Sequence, residues 1–314
     1  MKIVLIITSS SEKTVAWKER ERYVKEFCET VEARLEKVKV RYTTYDKLQF
    51  AVRNGQTAIT DTQNDIDLKQ TSLVHFKNWM YETEEAPLTA SYLKKHGIAF
   101  FNSEVDIPVS SGKISQMFRL GEQGIPVPDT FYARRSQLRQ IFSAGKLPAG
   151  FSLPLIMKAT FGSKGDDNHL VASTAQALQI LNESAPDIEF VLQNFIPNDG
   201  DYRFLFVGFD KPPIIFHRQS VSGTHLNNTS KGGTGRVIQA NELPAQYLQY
   251  ARKAAEVLRR EIGGVDIIVD KKTGKPYILE VNGTPALATG YDTDKKLNVF
   301  VEFLERMLEA EEEE

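Results

Sequence analysis

The stretch GGVDIIVDKKTGKPYILEVNGTPAL, Gly263 to Leu287, limits the fold more than any other part of the chain. Two apolar runs of similar reach flank a short Lys-Lys-Thr-Gly-Lys segment, which is the pattern of a β-hairpin. Such a hairpin returns Glu280 on its second strand to the neighbourhood of Asp266 on its first. Alternation along the second strand puts Glu280 and Asn282 on one face and points Leu279 and Val281 into a core. Two carboxylates and an amide oxygen then converge, and they repel unless something positive lies between them. A hard cation taking oxygen ligands is one remedy, since magnesium is commonly held by one or two carboxylates plus substrate phosphates. A polar strand end beside a loop is the other reading, and the hairpin alone leaves both open.

The 314 residues, 41% hydrophobic, suffice for two or three lobes with cores of their own. Basic and acidic side chains number 39 and 41, a net charge of −2. This balance gives no electrostatic footprint for nucleic acid or an anionic membrane, so neither is an expected partner; homo-oligomerisation is left open. The early apolar run Ile3 to Ile7 is shorter than a signal segment or a membrane span, which makes a cytoplasmic protein the expectation. Cys28 is the only cysteine, so any metal is held by oxygen or imidazole.

The chain opens with a strand, Lys2 to Thr8, and a charged helix around Ala16 to Lys37. Val24, Phe27, Cys28, Val31, Leu35 and Val38 recur there at helical spacing, a stripe expected to pack on its own sheet. Strand patterns at VKVRYTT, TSLVHF and IAFFN, with a helix stopping at Gly97, make the first 110 or so residues an open α/β domain. The two prolines of GIPVPDT mark a boundary. Beyond it LPLIMKA, EFVLQNFI, YRFLFVG and PIIFHRQ follow with few crossover helices, which predicts antiparallel sheet in one or two α+β lobes. The terminal EAEEEE reads as a solvated helix end.

Lys158 ends an apolar strand and precedes a loop with Gly162, Ser163 and Gly165. Glycines let backbone amides approach phosphate, although a plain hairpin turn beside a snorkelling lysine has the same appearance. Neither GxxxxGK[ST] nor GxGxxG occurs, so a P-loop or Rossmann fingerprint does not account for nucleotide binding. His169, His217 and His225 show no metal-ligand spacing and no nucleophile beside them, which leaves them structural.

In their order and spacing, PLIMKATFGSKG, VLQNFIPNDGDYRFLFVG, NNTSKGG, GGVDIIV and ILEVNGTP resemble the ATP-grasp ligases, most closely the branch of ribosomal-protein glutamate ligases and related amino-acid ligases. The likeness runs from about Lys113 to Pro285. It implies an N-terminal α/β domain (1–112), a central lobe with the glycine-loop lid (113–196) and a C-terminal lobe with the metal site (197–314), the two α+β lobes sandwiching ATP. By the same resemblance Lys113 and Lys158 contact ATP phosphates under the Gly162, Ser163 and Gly165 loop. Gln193, Asn194, Phe195 and Ile196 form the adenine hinge, where Asn194 replaces the usual charged residue and leaves the adenine amine's partner open. Asp201 meets the ribose, while Asp266, Glu280 and Asn282 hold two Mg²⁺, with Mn²⁺ as a substitute. Arg203, Arg218, Asn228 and Lys231 gather near the transferred phosphate and acyl group.

The activity implied is amide or peptide bond formation through an acyl phosphate, with ATP going to ADP and phosphate. The substrates would be small-molecule or peptide carboxylates and amines, with glutamate added to a peptide or small acceptor as one form. A catalytically silent ATP-binding scaffold or regulator on the same fold, and a peptide-modifying maturase, are the alternatives. A silent protein is free to lose metal ligands; this chain keeps Asp266, Glu280 and Asn282.

Overall fold

The N-terminal alternation of apolar runs and a striped helix yields parallel sheet. In the computed structural model, which describes residues 1–10, 17–107, 109, 111–160, 168–219 and 234–313, α1 (Trp17–Glu32) links β1 (Lys2–Thr8) to its parallel neighbour β2 (Val38–Thr44). An antiparallel meander follows, β3 (Leu48–Arg53), β4 (Gln56–Asp61) and β5 (Ile66–Asp67), which the open α/β expectation does not contain. Its signal in the sequence is Asn54-Gly55, whose φ values of 49° and 75° are the pair a two-residue hairpin turn demands. Then β6 (Leu73–Phe76), α2 (Glu85–Lys95) and β7 (Ala99–Phe101) complete a parallel sheet of order β2-β1-β6-β7. The stripe of Val24, Phe27, Cys28 and Val31 on α1 is buried against this sheet, as its spacing predicts; the helix ends at Glu32, however, so Leu35 lies in the turn beyond it and Val38 opens β2.

The next helix, α3 (Lys113–Glu122), takes no part in the core of the central lobe that follows it. Its Met117 and Leu120 are buried in the core of the C-terminal lobe instead. The chain then builds β8 (Thr130–Tyr132), α4 (Arg135–Ser143), β9 (Leu155–Ala159), β10 (Asn168–Val171), α5 (Thr174–Glu183) and β11 (Phe190–Asn194). These strands form an antiparallel sheet of order β10-β9-β11-β8. Leu138, Phe142, Leu155, Met157, Leu181 and Phe190 give this central lobe a core of its own.

The C-terminal lobe is a five-stranded antiparallel sheet, built from β12 (Asp201–Val207), β13 (Ile214–Gln219), β14 (Thr234–Ile238), β15 (Ile262–Val269) and β16 (Pro276–Asn282) in the order β14-β13-β12-β15-β16. Between β14 and β15 comes α6 (Ala245–Leu258), which covers one face through Phe204, Phe206, Val265 and Ile267. The other face, at Leu205, Val207, Ile214 and Phe216, meets α7 (Thr293–Glu313). Phe300 and Leu304 of α7 are fully buried in a core shared with Val4, Ile6 and α1. Each such side chain contributes about 1.5–3 kcal/mol of burial, so α7 fuses the N-terminal domain to the C-terminal lobe while the central lobe stands on its own core. Among the described residues no helix is long and apolar enough to cross a membrane.

Candidate active site

The hairpin forms as its pattern requires, with Asp266 paired to Glu280 across β15 and β16. Its register carries one correction to the alternation argument. Asp266 opposes Glu280 but Ile267 opposes Ile278, so Leu279 is an extra residue on β16. The bulge resets the alternation: Ile278 and Val281, three apart, are the buried residues on either side of it, and Leu279 is only partly covered. Glu280 and Asn282 stay on one face, and Asn282 Nδ2 donates to Glu280 Oε1 at 3.0 Å and to Asp266 Oδ2 at 3.4 Å. Being an edge strand, β16 would leave backbone groups unpaired on its outer side. Side chains meet them: Val281 N donates to Gln116 Oε1 of α3 at 3.0 Å, and the Arg260 guanidinium donates to Val281 O.

The sheet face that packs on α7 at Leu205 turns charged two and four residues earlier, at Arg203 and Asp201. Cross-strand register sets Asp201 beside Arg218 and Arg203 beside Asp266. Arg203 holds Asp266 with two bonds, Nε to Oδ1 at 2.7 Å and Nη2 to Oδ2 at 2.6 Å. Arg218 holds Asp201 in the same bidentate way, at 2.7 and 2.5 Å, and its Nη2 reaches Asp266 Oδ2 at 3.0 Å. Asp201, Arg218 and Asp266 are 3–4% exposed, so Arg218 does not merely cover the sheet. Burial opposes the charge on Arg218, and the carboxylates of Asp266 and Asp201 outweigh it. Burial likewise opposes the charge on Asp266, but Arg203 and Arg218 hold its carboxyl below the ordinary value. Asp201 goes the other way, pushed up to about 6 by burial and by the charge on Asp266.

Lys158 comes from β9 of the central lobe, and its ammonium lies in the field of Glu280, Lys113 and Asp266. Burial brings it down to about 8, with Lys113 adding to the effect and the two carboxylates opposing it. Lys113 opens α3, its backbone N–H bonded to Thr160 O just beyond β9 at 3.2 Å. Lys158 thus lies between the hairpin carboxylates and a second lysine from a separate element. Among the described residues no three or more His, Cys, Asp or Glu side chains group as metal ligands. A cation here would rest on two carboxylates and the Asn282 amide, with other oxygens brought by its ligand.

Residues 110–307 match the RimK-like ATP-grasp domain. The chain belongs to that family. A relative from Methanosarcina acetivorans, named tetrahydromethanopterin:alpha-L-glutamate ligase, is 29% identical over 223 residues, covering 62% of this chain and 65% of its own length. The matched stretch is therefore a little under two thirds of that relative. The D-alanine–D-alanine ligase of Bacillus anthracis, solved with ATP, superposes with a TM-score of 0.64 at 15% identity over 99% of this chain and 97% of that one. The macrocyclase MdnC of Microcystis aeruginosa, solved with its precursor peptide MdnA, gives 0.60 at 16% identity over 97% and 99%. Both share the ATP-grasp fold, with its N-terminal α/β domain and two α+β lobes, over nearly the full chain.

Within this ATP-grasp frame, the segment joining the lobes begins at Gln193 and Asn194. Gln193 is 3% exposed and donates to Thr130 Oγ1 at 3.0 Å. The Asn194 amide is taken up locally, donating to Asp129 Oδ2 and Gly150 O and accepting from Ser152 N. Phe195 and Ile196 follow, partly exposed. Gly162, Ser163, Gly165, Asn228 and Lys231 lie outside the described residues, as does His225. His217 stacks on Tyr202 at 4.7 Å between ring centroids. The sequence reading missed the Leu279 bulge, which has no residue signature, and the two side chains that fix Val281. Gln116 could have been found, as a polar residue on the apolar stripe of α3.

Proposed function

We propose that the protein is an ATP-dependent carboxylate–amine ligase working through an acyl phosphate. The observation that carries this reading is the meeting of Asp266, Glu280 and Asn282 on one hairpin with Lys158 of the other lobe. The donor set fits magnesium or manganese: an N–H of Asn282 already bridges the two carboxylates, marking the point where positive charge is wanted. Bound there by Asp266, Glu280 and Asn282, one or two such ions would offset phosphate charge. The remaining work falls to the chain's own groups. Lys113 and Lys158 hold the phosphates, and the backbone at Phe195 and Ile196 meets the adenine edge, since the Asn194 amide is occupied. Asp201 orients Arg218, with any ribose contact made from that paired state.

The γ-phosphoryl passes from ATP to a substrate carboxylate, an amine attacks the acyl phosphate, and ADP and phosphate leave. Phosphoryl transfer asks mainly for positioning and fixed charge, which Arg203 and Arg218 supply from a buried, preorganised pair of ion pairs. The central lobe, with its separate core, can close as a unit and keep water from the intermediate. Relatives named for glutamate ligation support an amino acid as amine or acyl substrate, and a small molecule or peptide as its partner.

The silent-binder alternative draws on one observation, the full engagement of Asp266 by two arginines. Hydroxylamine separates the two. With ATP, Mg²⁺ and a panel of amino acids and acidic peptides, the ligase traps a hydroxamate from at least one carboxylate, and ADP release rises with it. ATP binding without hydroxamate from any of them supports the silent protein instead.

A further inference from the structure

A second group of buried polar side chains lies at the carboxyl end of the parallel sheet, where open α/β sheets bind ligands. Lys77 follows β6 directly and is 5% exposed. Its backbone is fixed on both sides: its N–H donates to Ile7 O at 2.9 Å, and its carbonyl accepts from Thr284 Oγ1 at 2.8 Å. Its ammonium lies 5.3 Å from the centre of the Phe27 ring. Among the described residues it has no hydrogen-bond or ion-pair partner, and the other cation in its field is Arg20 of α1, half-buried and likewise without an ion pair. Two cations with no acid between them are costly to bury unless a ligand supplies the counter-charge.

Two hydroxyls complete the group. Alternation puts Thr8 on the face of Ile6, Thr44 on that of Tyr42 and Lys77 on that of His75, all towards α1, and Thr8 pairs with Thr44 in register. Both threonine side chains are buried, and among the described residues both Oγ1 atoms lack a partner. Unsatisfied buried hydroxyls are rare enough to need a reason. A carboxylate supplies it, because it accepts from hydroxyls and cations together.

The position ties this group to the active site. Thr284 lies two residues beyond Asn282, and the intervening Gly283 packs so closely that a Cβ there would come within 2.7 Å of the Trp79 ring. Gly283 O also accepts from Asn102 Nδ2 at 3.3 Å. The loop leaving the hairpin is thus fixed to the strand end that carries Lys77.

We propose that Lys77, Arg20, Thr8 and Thr44 form a carboxylate subsite, which holds a substrate carboxylate that the reaction does not consume. The assignment deepens the ligase reading and rests on it only for making that anion a substrate. The test is equilibrium binding by calorimetry, without ATP, of acid and carboxamide pairs: L-glutamate against its α-amide, and succinate against succinamate. Wild-type protein prefers at least one acid over its amide by tenfold or more, and Lys77→Met and Arg20→Gln each bring that preference within threefold. Preference in the glutamate pair assigns the subsite to the amino-acid substrate; preference in the succinate pair alone assigns it to the acyl partner. The unliganded Lys77→Met protein melts at or above the wild-type temperature, because an unpaired buried charge is gone, whereas loss of a structural strut lowers it. No acid preferred by the wild type, a preference that survives both variants, or a lower melting temperature for Lys77→Met overturns the proposal. Nucleotide binding, measured separately with Glu280→Gln as control, reports on the ligase reading itself.

Discussion

Two buried ion clusters flank β16, and they differ in what their charges have left to do. In the first, Glu104 divides its oxygens between Arg119 at 2.6 Å and Arg260 at 2.7 Å. The guanidiniums spend their other N–H groups on carbonyls: Arg119 on Val257, Arg260 on Val281 and Ser111. The side chains of Glu104 and Arg260 are at most 2% exposed, and both carboxylate oxygens and all three guanidinium nitrogens meet protein groups. In the second, three carboxylates, Asp201, Asp266 and Glu280, share Arg203, Arg218 and the Asn282 amide, with Lys158 arriving from a different lobe. A cluster closed on itself fixes a strand; one assembled from two separately packed lobes is arranged for something that comes between them. The first serves the second, since Arg260 holds the strand on which Glu280 and Asn282 sit.

The comparison breaks most sharply under single substitutions. Glu104→Gln leaves two arginines without their carboxylate in a dry site and costs about 3–5 kcal/mol of stability, read from denaturant midpoints. ADP release per folded molecule falls by less than about tenfold. Glu280→Gln reverses the pattern: the midpoint holds or rises, and ADP release drops by roughly a hundredfold to a thousandfold, the order seen when one preorganised charge partner is removed from a reacting site. A loss of stability for Glu280→Gln matching that of Glu104→Gln would make both clusters struts.

A smaller effect sharpens the same contrast through pH. Lys158, brought to about 8 from the ordinary 10.5, releases its proton from the folded protein earlier than from the unfolded chain. Its unfavourable burial is therefore full below about pH 8, and stability rises with pH across the window from 8 to 10.5. On the proposed role of Lys158, phosphate binding restores the proton. Calorimetry in buffers of different ionisation enthalpy shows uptake of roughly half a proton or more on ATP binding near pH 8.5, vanishing near pH 6.5 and in Lys158→Met. Equal uptake at both pH values would remove Lys158 from the phosphates.

Much of this was legible because hairpin, stripe and breaker signals are local. The Asp266–Glu280 pairing followed from two apolar runs about a short polar turn, and Gly97 ended its helix at a φ of 68°. What escaped depends on contacts distant in sequence. Glu104 and Arg260 are 156 residues apart and neither lies in a motif. The packing of α3 on the C-terminal lobe is set by the apolar stripe it shares with α6, which no boundary proline reports. The pairing of Asp201 with Arg218, 17 residues on, is set by strand register and has no local signature. Asn194, expected at the adenine hinge, has its side-chain amide taken up by Asp129, Gly150 and Ser152, contacts that no local pattern reports.

The central claim is that the hairpin and Lys158 form a centre that moves the γ-phosphoryl of ATP onto a carboxylate. Positional isotope exchange tests it most directly. With ATP labelled at the β–γ bridging oxygen, Mg²⁺, a panel of carboxylates and no amine, the account predicts that label scrambles into non-bridging β positions for the wild type with at least one carboxylate. It also predicts that scrambling is lost in Glu280→Gln. Scrambling that persists unchanged in Glu280→Gln, or none from the wild type with any carboxylate while ATP binds, contradicts it.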